Sequence, residues 1–136
     1  MICLKCDKKA ELVTGEHIHP FNEKYKKYNS YICTACGDYV GCHEGTTKAL
    51  GTLADKRLRE KRIQVHKAFD QIWKNLSMSI KQAYIHLAEM LDIPLVKCHI
   101  GLFDLDLCQR VLEVVIWIKR NTKDLNLSYV NNVNII

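Results

Sequence analysis

Cys3-Leu4-Lys5-Cys6 and Cys33-Thr34-Ala35-Cys36 decide how this chain is read. In each, two residues separate the cysteines, a gap that lets a tight turn aim both thiolates at one soft metal ion about 2.3 Å away. Two such knuckles complete a tetrahedral set, and the segment between them suits a β-hairpin closing a zinc ribbon. A pair of redox dithiols and a pair of disulfides are the competing readings; a second knuckle favours metal over both. The expected ligands are Cys3, Cys6, Cys33 and Cys36, with zinc as the cofactor. A four-thiolate ion has no open coordination position, so it shapes structure and cannot activate water.

Outward from the knuckles, residues 1–43 read as the ribbon. Glu11 to Ile18 suggests a strand pair, or a strand with a turn at Gly15. The loop Phe21-Asn22-Glu23-Lys24-Tyr25-Lys26-Lys27-Tyr28 follows, then Tyr31-Ile32 enters the second knuckle and Asp38-Tyr39-Val40 closes the sheet. So short a segment cannot build an adequate apolar core, and the metal substitutes for one.

The expected fold class is α+β: a small zinc ribbon and connector over residues 1–50, a three-helix domain over 51–120 and a tail over 121–136. Thr52 is the expected N-cap of a long helix from about Leu53 to about Lys74, with Asp55 in its first turn. At 100° per residue, Leu58, Val65, Phe69 and Ile72 form its apolar stripe and Trp73 marks the edge. Ser79 and Gln82 make a capping-box pattern for a second helix carrying Ile80, Ala83, Tyr84, Leu87 and Leu91, which Asp92-Ile93-Pro94 stops. A third begins after Asp104 and buries Cys108, Val111, Leu112, Val115 and Ile116. Between these two, Val96 to Phe103 is too short for a helix and reads as a strand or tight loop.

The chain of 136 residues carries a net charge of +5. Its positive excess lies in one half: residues 1–75 hold 14 Lys and Arg against 9 Asp and Glu, and the remainder holds 6 of each. A lopsided basic half suits a polyanionic partner such as nucleic acid. With no charged and apolar leader at the start and no apolar run long enough to span a bilayer, a soluble, cytoplasmic protein without a membrane partner is expected. Seven cysteines, an odd number, in knuckle spacing fit metal better than a disulfide framework.

The stretch YVGCHEGTTKALGTLADKRLREKRIQVHKAFDQIW, Tyr39 to Trp73, resembles the signature of a zinc-finger-containing family of unknown function found in phages and bacteria. The knuckle pair, AYIHLAEMLDIP (Ala83 to Pro94) and CHIGLFDLDLC (Cys98 to Cys108) extend the resemblance over roughly residues 1–118. It implies zinc at the four knuckle cysteines and a phage or mobile-element origin, and carries no activity.

Two constellations are candidates for contact or chemistry. In the ribbon loop, Lys24, Lys26 and Lys27 interleave with Phe21, Tyr25 and Tyr28: lysines neutralise phosphates, and rings stack on unpaired bases of single strands or distorted duplexes. The bland counterpart is tyrosines packed over the ribbon beside solvated lysines. On the long helix, Arg59, Arg62, His66 and Asp70 share a stripe; the arginines suit a phosphate, and His66 and Asp70, four apart, suit a hydrogen bond or a metal. With Cys42, His43 and His99 from loops, a second metal or hydrolytic site is conceivable. Its bland counterpart is a buried His–Asp pair, with arginines tying the helix to the ribbon and the CHIG loop.

The leading functional expectation is a zinc-binding accessory protein contacting nucleic acid or a nucleoprotein complex through the loop and the basic helix. The alternative is a phage-type protein that docks on a host enzyme or defence complex. A metal-dependent nuclease or hydrolase comes third, and no catalytic residue is assigned.

Overall fold

The computed structural model describes residues 1–123. Two compact units divide the chain, Met1–Arg59 and a second from Glu60 onward. The expected tail over 121–136 lies largely outside the described residues; the last helix continues to Lys123.

In the first unit, β1 (Ile2–Cys3) and β2 (Lys8–Lys9) form an antiparallel hairpin with the first knuckle as its turn. Three further strands, β3 (Glu11–Val13), β4 (Ser30–Ile32) and β5 (Tyr39–Gly41), make an antiparallel sheet in chain order. Its register places Leu12 opposite Tyr31 and Tyr31 opposite Val40. The second knuckle turns β4 into β5. The expected closing strand is present.

The stretch after β3 differs from expectation. Gly15 opens a single helical turn, α1 (Gly15–Ile18), in place of a strand turn. The reason is steric: Gly15 is buried so tightly under the loop that an added Cβ would overlap the Tyr25 carbonyl group and approach the Tyr28 oxygen within 2.6 Å. Only glycine lets these backbones pass so closely. Neither obstacle is a flexible side chain, so Gly15→Ala is expected to destabilise this unit by about 1–3 kcal/mol or more. Urea unfolding monitored by tyrosine fluorescence measures this; an unchanged midpoint would contradict the packing described.

The connector after β5 folds back on itself. Cys42 bridges Ala49, Leu50 donates to the Gly41 carbonyl at 2.8 Å, and the Tyr31 hydroxyl reaches the Thr47 carbonyl at 2.7 Å. Tyr39 and Ala54 then exchange two backbone hydrogen bonds of 3.1 Å. This extended pairing moves the helix start: Thr52 is not the cap. Asp55 is, its Oδ1 accepting from Leu58 N at 2.9 Å, and α2 spans Lys56–Asn75.

From Glu60 onward the core is made of helices. Val65, Phe69 and Ile72 of α2 are buried as the 3.6-residue period requires. The capping box of α3 (Ile80–Leu91) is complete, with Gln82 N on Ser79 Oγ at 3.1 Å and Ser79 N on Gln82 Oε1 at 3.0 Å. Asp92, in left-handed backbone at φ 55°, ends it. α4 (Leu105–Lys123) starts at Asp104, whose carboxylate accepts Leu107 N at 2.8 Å. Two positions leave the expected core, Ile80 and Ile116, each about half exposed, while Ile118 is buried. Cys108, Val111, Val115 and Ile118 step by three, four and three, a straighter seam than one running through Ile116.

Of the two readings of Val96–Phe103, strand or tight loop, the structure shows the tight loop. It forms two tight 3-10 turns, Leu95–Lys97 and Ile100–Leu102, that drive Cys98, Ile100 and Phe103 into the core while Val96 stays exposed.

Candidate metal centre

The two knuckles have the same backbone. In each, the amide four residues after the first cysteine donates to that cysteine's carbonyl: Asp7 N to Cys3 O at 2.8 Å and Gly37 N to Cys33 O at 2.7 Å. Asp7 and Gly37 both have positive φ, 53° and 83°. Glycine suits that conformation and aspartate tolerates it. Closing the turn this way points both sulfurs of a knuckle to one side.

The four sulfurs consequently converge. Those of Cys3, Cys6, Cys33 and Cys36 all lie within 4.8 Å of one another, and Cys3 and Cys36 approach to 3.7 Å. A tetrahedral Zn–S distance of about 2.3 Å requires an S–S edge of about 3.8 Å, so the donor set fits zinc in size and softness. A disulfide needs about 2.05 Å, and all four cysteines are free. Cys3 and Cys33 are buried, Cys6 is half-buried and Cys36 exposed, so the centre opens to solvent on one side.

Backbone dipoles prepare this site for negative sulfur. The Cys36 and Ala35 amides face Cys33 and bring its thiol down to about 7. The Asp38 amide acts likewise on Cys36, but burial and the neighbouring thiols of Cys33 and Cys3 leave that group raised. Cys6 is pushed up to about 12, first by its hydrogen bond to Cys36 and then by burial. A divalent cation would relieve this crowding by replacing the protons.

The knuckles are also cross-tied. Lys5, inside the first, pairs with Asp38 just past the second at 3.0 Å and with Asp55 at 3.2 Å. Asp38 is buried and Lys5 is held protonated well above its ordinary range, chiefly by Asp38 and then Asp55. The sequence carried no signal for this clamp, since an ion pair across 33 or 50 residues leaves no spacing pattern.

Asp55 therefore has two tasks, and its carboxyl sits below the usual carboxylate range, first because of the Leu58 amide and then because of Lys5. A depressed folded pKa stabilises the fold above the unfolded value of about 3.9, and that contribution disappears as pH falls through the folded value. Asp55→Ala is thus expected to lower the denaturation midpoint at neutral pH, with the gap from wild type closing as pH drops through the acid range. Urea titrations at stepped pH read this; a gap independent of pH would refute it.

The other anticipated residues fall into place as follows. In the loop, Lys26 pairs with Glu23 at 2.7 Å and Glu16 at 3.9 Å, and Lys27 pairs with Glu44 at 3.2 Å. Lys24 lies 5.7 Å from the Tyr25 ring. Tyr25 and Tyr28 are half-buried, with Tyr25 tilted against His19 at 4.6 Å and against Tyr28 at 6.3 Å. Arg59 covers Tyr39 at 3.7 Å and donates to the Ala54 carbonyl, while Arg62 Nε donates to the Phe103 carbonyl at 3.0 Å.

His66 and Asp70 do bond, at 3.2 Å, but His66 is about half exposed, so the pair is a surface one and not the buried pair of the bland reading. Asp70 also accepts from Trp73 Nε1 at 2.8 Å. His99 Nδ1 accepts from Gly101 N at 3.1 Å, capping its 3-10 turn. Cys42 is fully buried with its thiol raised by that burial, and the neighbouring His43 is exposed in the connector turn. Among the described residues, the four knuckle cysteines are the set of three or more potential ligands that comes together.

Comparison with curated proteins gives no match, and comparison with solved structures gives none either. A family model described as a zinc-finger-containing domain matches residues 1–117, which include both knuckles, the connector and most of the helical unit. The four thiols converge as a set able to hold one metal ion, and the chain belongs to that family of zinc-finger-containing domains of unknown function.

Proposed function

We propose that this protein is a zinc-stabilised accessory module that binds nucleic acid through the surface of its ribbon. The observation carrying this reading is the row Tyr28, Tyr25, His19, Tyr39 and Arg59, in which each ring or guanidinium touches the next at centroid distances between 3.7 and 6.3 Å. Lys24 and Lys27 flank it, each 5.7 Å from a tyrosine ring. Every member is half-buried, so the row is pinned yet still offers edge and face to solvent. Aromatic surface with cations at its margin is the chemistry that nucleic acid asks of a binder without catalytic groups.

Zinc's role in this scheme is to hold the unit Met1–Arg59, in which the row lies. Binding is expected to weaken with salt, the log–log slope reporting about three to six phosphates neutralised. A gel-shift series with Lys24, Lys26 and Lys27 changed together to Ala is expected to flatten that slope; unchanged binding removes the loop from the scheme.

The alternative, a phage-type protein that docks on a host enzyme or defence complex, draws support from α4, where Ile116 and Trp117 are each about half exposed. It predicts a defined polypeptide that co-purifies, is identified by mass spectrometry and is lost on Trp117→Glu. Among the described residues, no helix is long and apolar enough to cross a membrane.

A further inference from the structure

Phe21 is fully exposed, a fact that neither composition nor packing explains. An apolar ring on a wandering loop would mean little, but this one stands on a rigid support. Asn22 N donates to the His19 carbonyl at 3.3 Å, closing a β-turn with Pro20 and Phe21 as its two central residues. Proline at the first central position fixes the backbone there. The next turn starts at once: Tyr25 N donates to Asn22 O at 3.1 Å, and the Asn22 side chain accepts Lys24 N at 3.1 Å. His19 on one side of the paired turns packs against Tyr25 from the other, and Gly15 closes against the Tyr25 and Tyr28 backbone from beneath.

Phe21 stands clear of the row, within which His19 and Tyr25 pack against each other at 4.6 Å. Its own ring keeps both faces in water. Nearby, the three lysines are not equivalent. Lys26 and Lys27 form exposed ion pairs with Glu23, Glu16 and Glu44, whereas Lys24, exposed and in the turn after Phe21, pairs with no carboxylate among the described residues.

From this geometry we infer that Phe21 and Lys24 form a single-strand contact, in which the phenyl ring stacks on an unpaired base and the ammonium meets an adjoining phosphate. This inference rests on the nucleic-acid reading above and narrows it from a polyanion in general to single-stranded nucleic acid. The argument for a single strand over a duplex is access. In a duplex the base faces are stacked on each other and only edges and phosphates are offered, so an open phenyl face has nothing to meet. A protein pocket would also take a phenyl ring, but it would have no use for a cation in the adjoining turn that pairs with no carboxylate among the described residues. Preorganisation strengthens the contact, because the turns that present both groups are already closed before binding.

Fluorescence anisotropy of the zinc-loaded full chain with a labelled oligothymidine and with a mixed-sequence duplex of the same length tests this. The single strand is expected to bind more tightly. Phe21→Ala is expected to weaken single-strand binding about tenfold and leave its salt slope unchanged, since no phosphate contact is lost. Phe21→Trp restores affinity and shows quenched indole emission on binding; Phe21→Leu, apolar but without a π face, does not restore it. Lys24→Ala reduces the salt slope by about 1. Because Phe21 touches nothing in the fold, zinc content and circular dichroism of its variants should match wild type.

Binding that survives Phe21→Ala, equal rescue by leucine, or a preference for duplex overturns this inference while leaving the broader nucleic-acid reading standing. Failure of the wild-type protein to bind either oligonucleotide overturns both.

Discussion

Stripping zinc with a strong chelator is expected to unfold Met1–Arg59 and leave the helices of the second unit folded. The buried apolar residues of the first unit are Cys3, Ala10, Cys33, Val40, Cys42 and Ala54, none larger than valine. Burial of that kind cannot offset the entropy of ordering so many residues. Structural zinc supplies about 10–16 kcal/mol of apparent binding free energy in small fingers, which is more than any other interaction in this unit can offer. The helical unit has its own core from Val65 to Ile118 and no share in the metal.

Thiol labelling read by mass spectrometry separates the two units. Chelation should make Cys3, Cys6, Cys33, Cys36 and also the buried Cys42 reactive, while Cys98 and Cys108 stay protected. Continued protection of Cys42, or simultaneous exposure of Cys98 and Cys108, would contradict the division. Elemental analysis should give one zinc per chain, and Cys33→Ser should reproduce the chelated state because that sulfur is wholly buried and receives two knuckle amides.

The second large effect is expected at Phe103. Its ring is fully buried where the 3-10 turns hand over to α4, and its carbonyl accepts the Arg62 guanidinium. Phe103→Ala removes a fully buried ring and leaves a cavity, at a cost of about 3–5 kcal/mol. Small domains have about 5–15 kcal/mol in total, so a helical unit so weakened should melt well below wild type by circular dichroism while the zinc content of the chain stays unchanged. Val96→Ala in the same segment is the control: Val96 is 86% exposed, and its change should stay within about 0.5 kcal/mol. Equal effects from the two substitutions would mean the segment is not folded as described.

That contrast shows where sequence reading stopped. Leu95, Val96, Ile100, Leu102 and Phe103 are alike in hydropathy, and no period ranks them, because 3-10 turns of three residues are too short to establish one. Helical positions were easier. Ser79 with Gln82, and the spacing of Val65, Phe69 and Ile72, announce caps and faces through interactions three or four residues apart. Even there, Thr52 was displaced as a cap by Asp55, because Ala54 pairs with Tyr39, a strand residue fifteen positions earlier. Ile116 lost its place to Ile118 for a similar reason: the seam follows the neighbouring helices, which a single helix's pattern does not record.

By itself, then, the sequence determined the four thiols, the ribbon before the helices and the soft ion they await, since knuckle spacing and helical period are local codes that a chain writes within a few residues. Tertiary structure alone decided that Lys5 locks onto Asp38 and Asp55, that Lys27 pairs with Glu44 while Lys24 meets no carboxylate among the described residues, and that Tyr25 packs while Phe21 stands clear. Those outcomes depend on which backbones pass close together, as at Gly15, and the energy of a contact between distant residues belongs to the fold and not to either residue's neighbours in the chain.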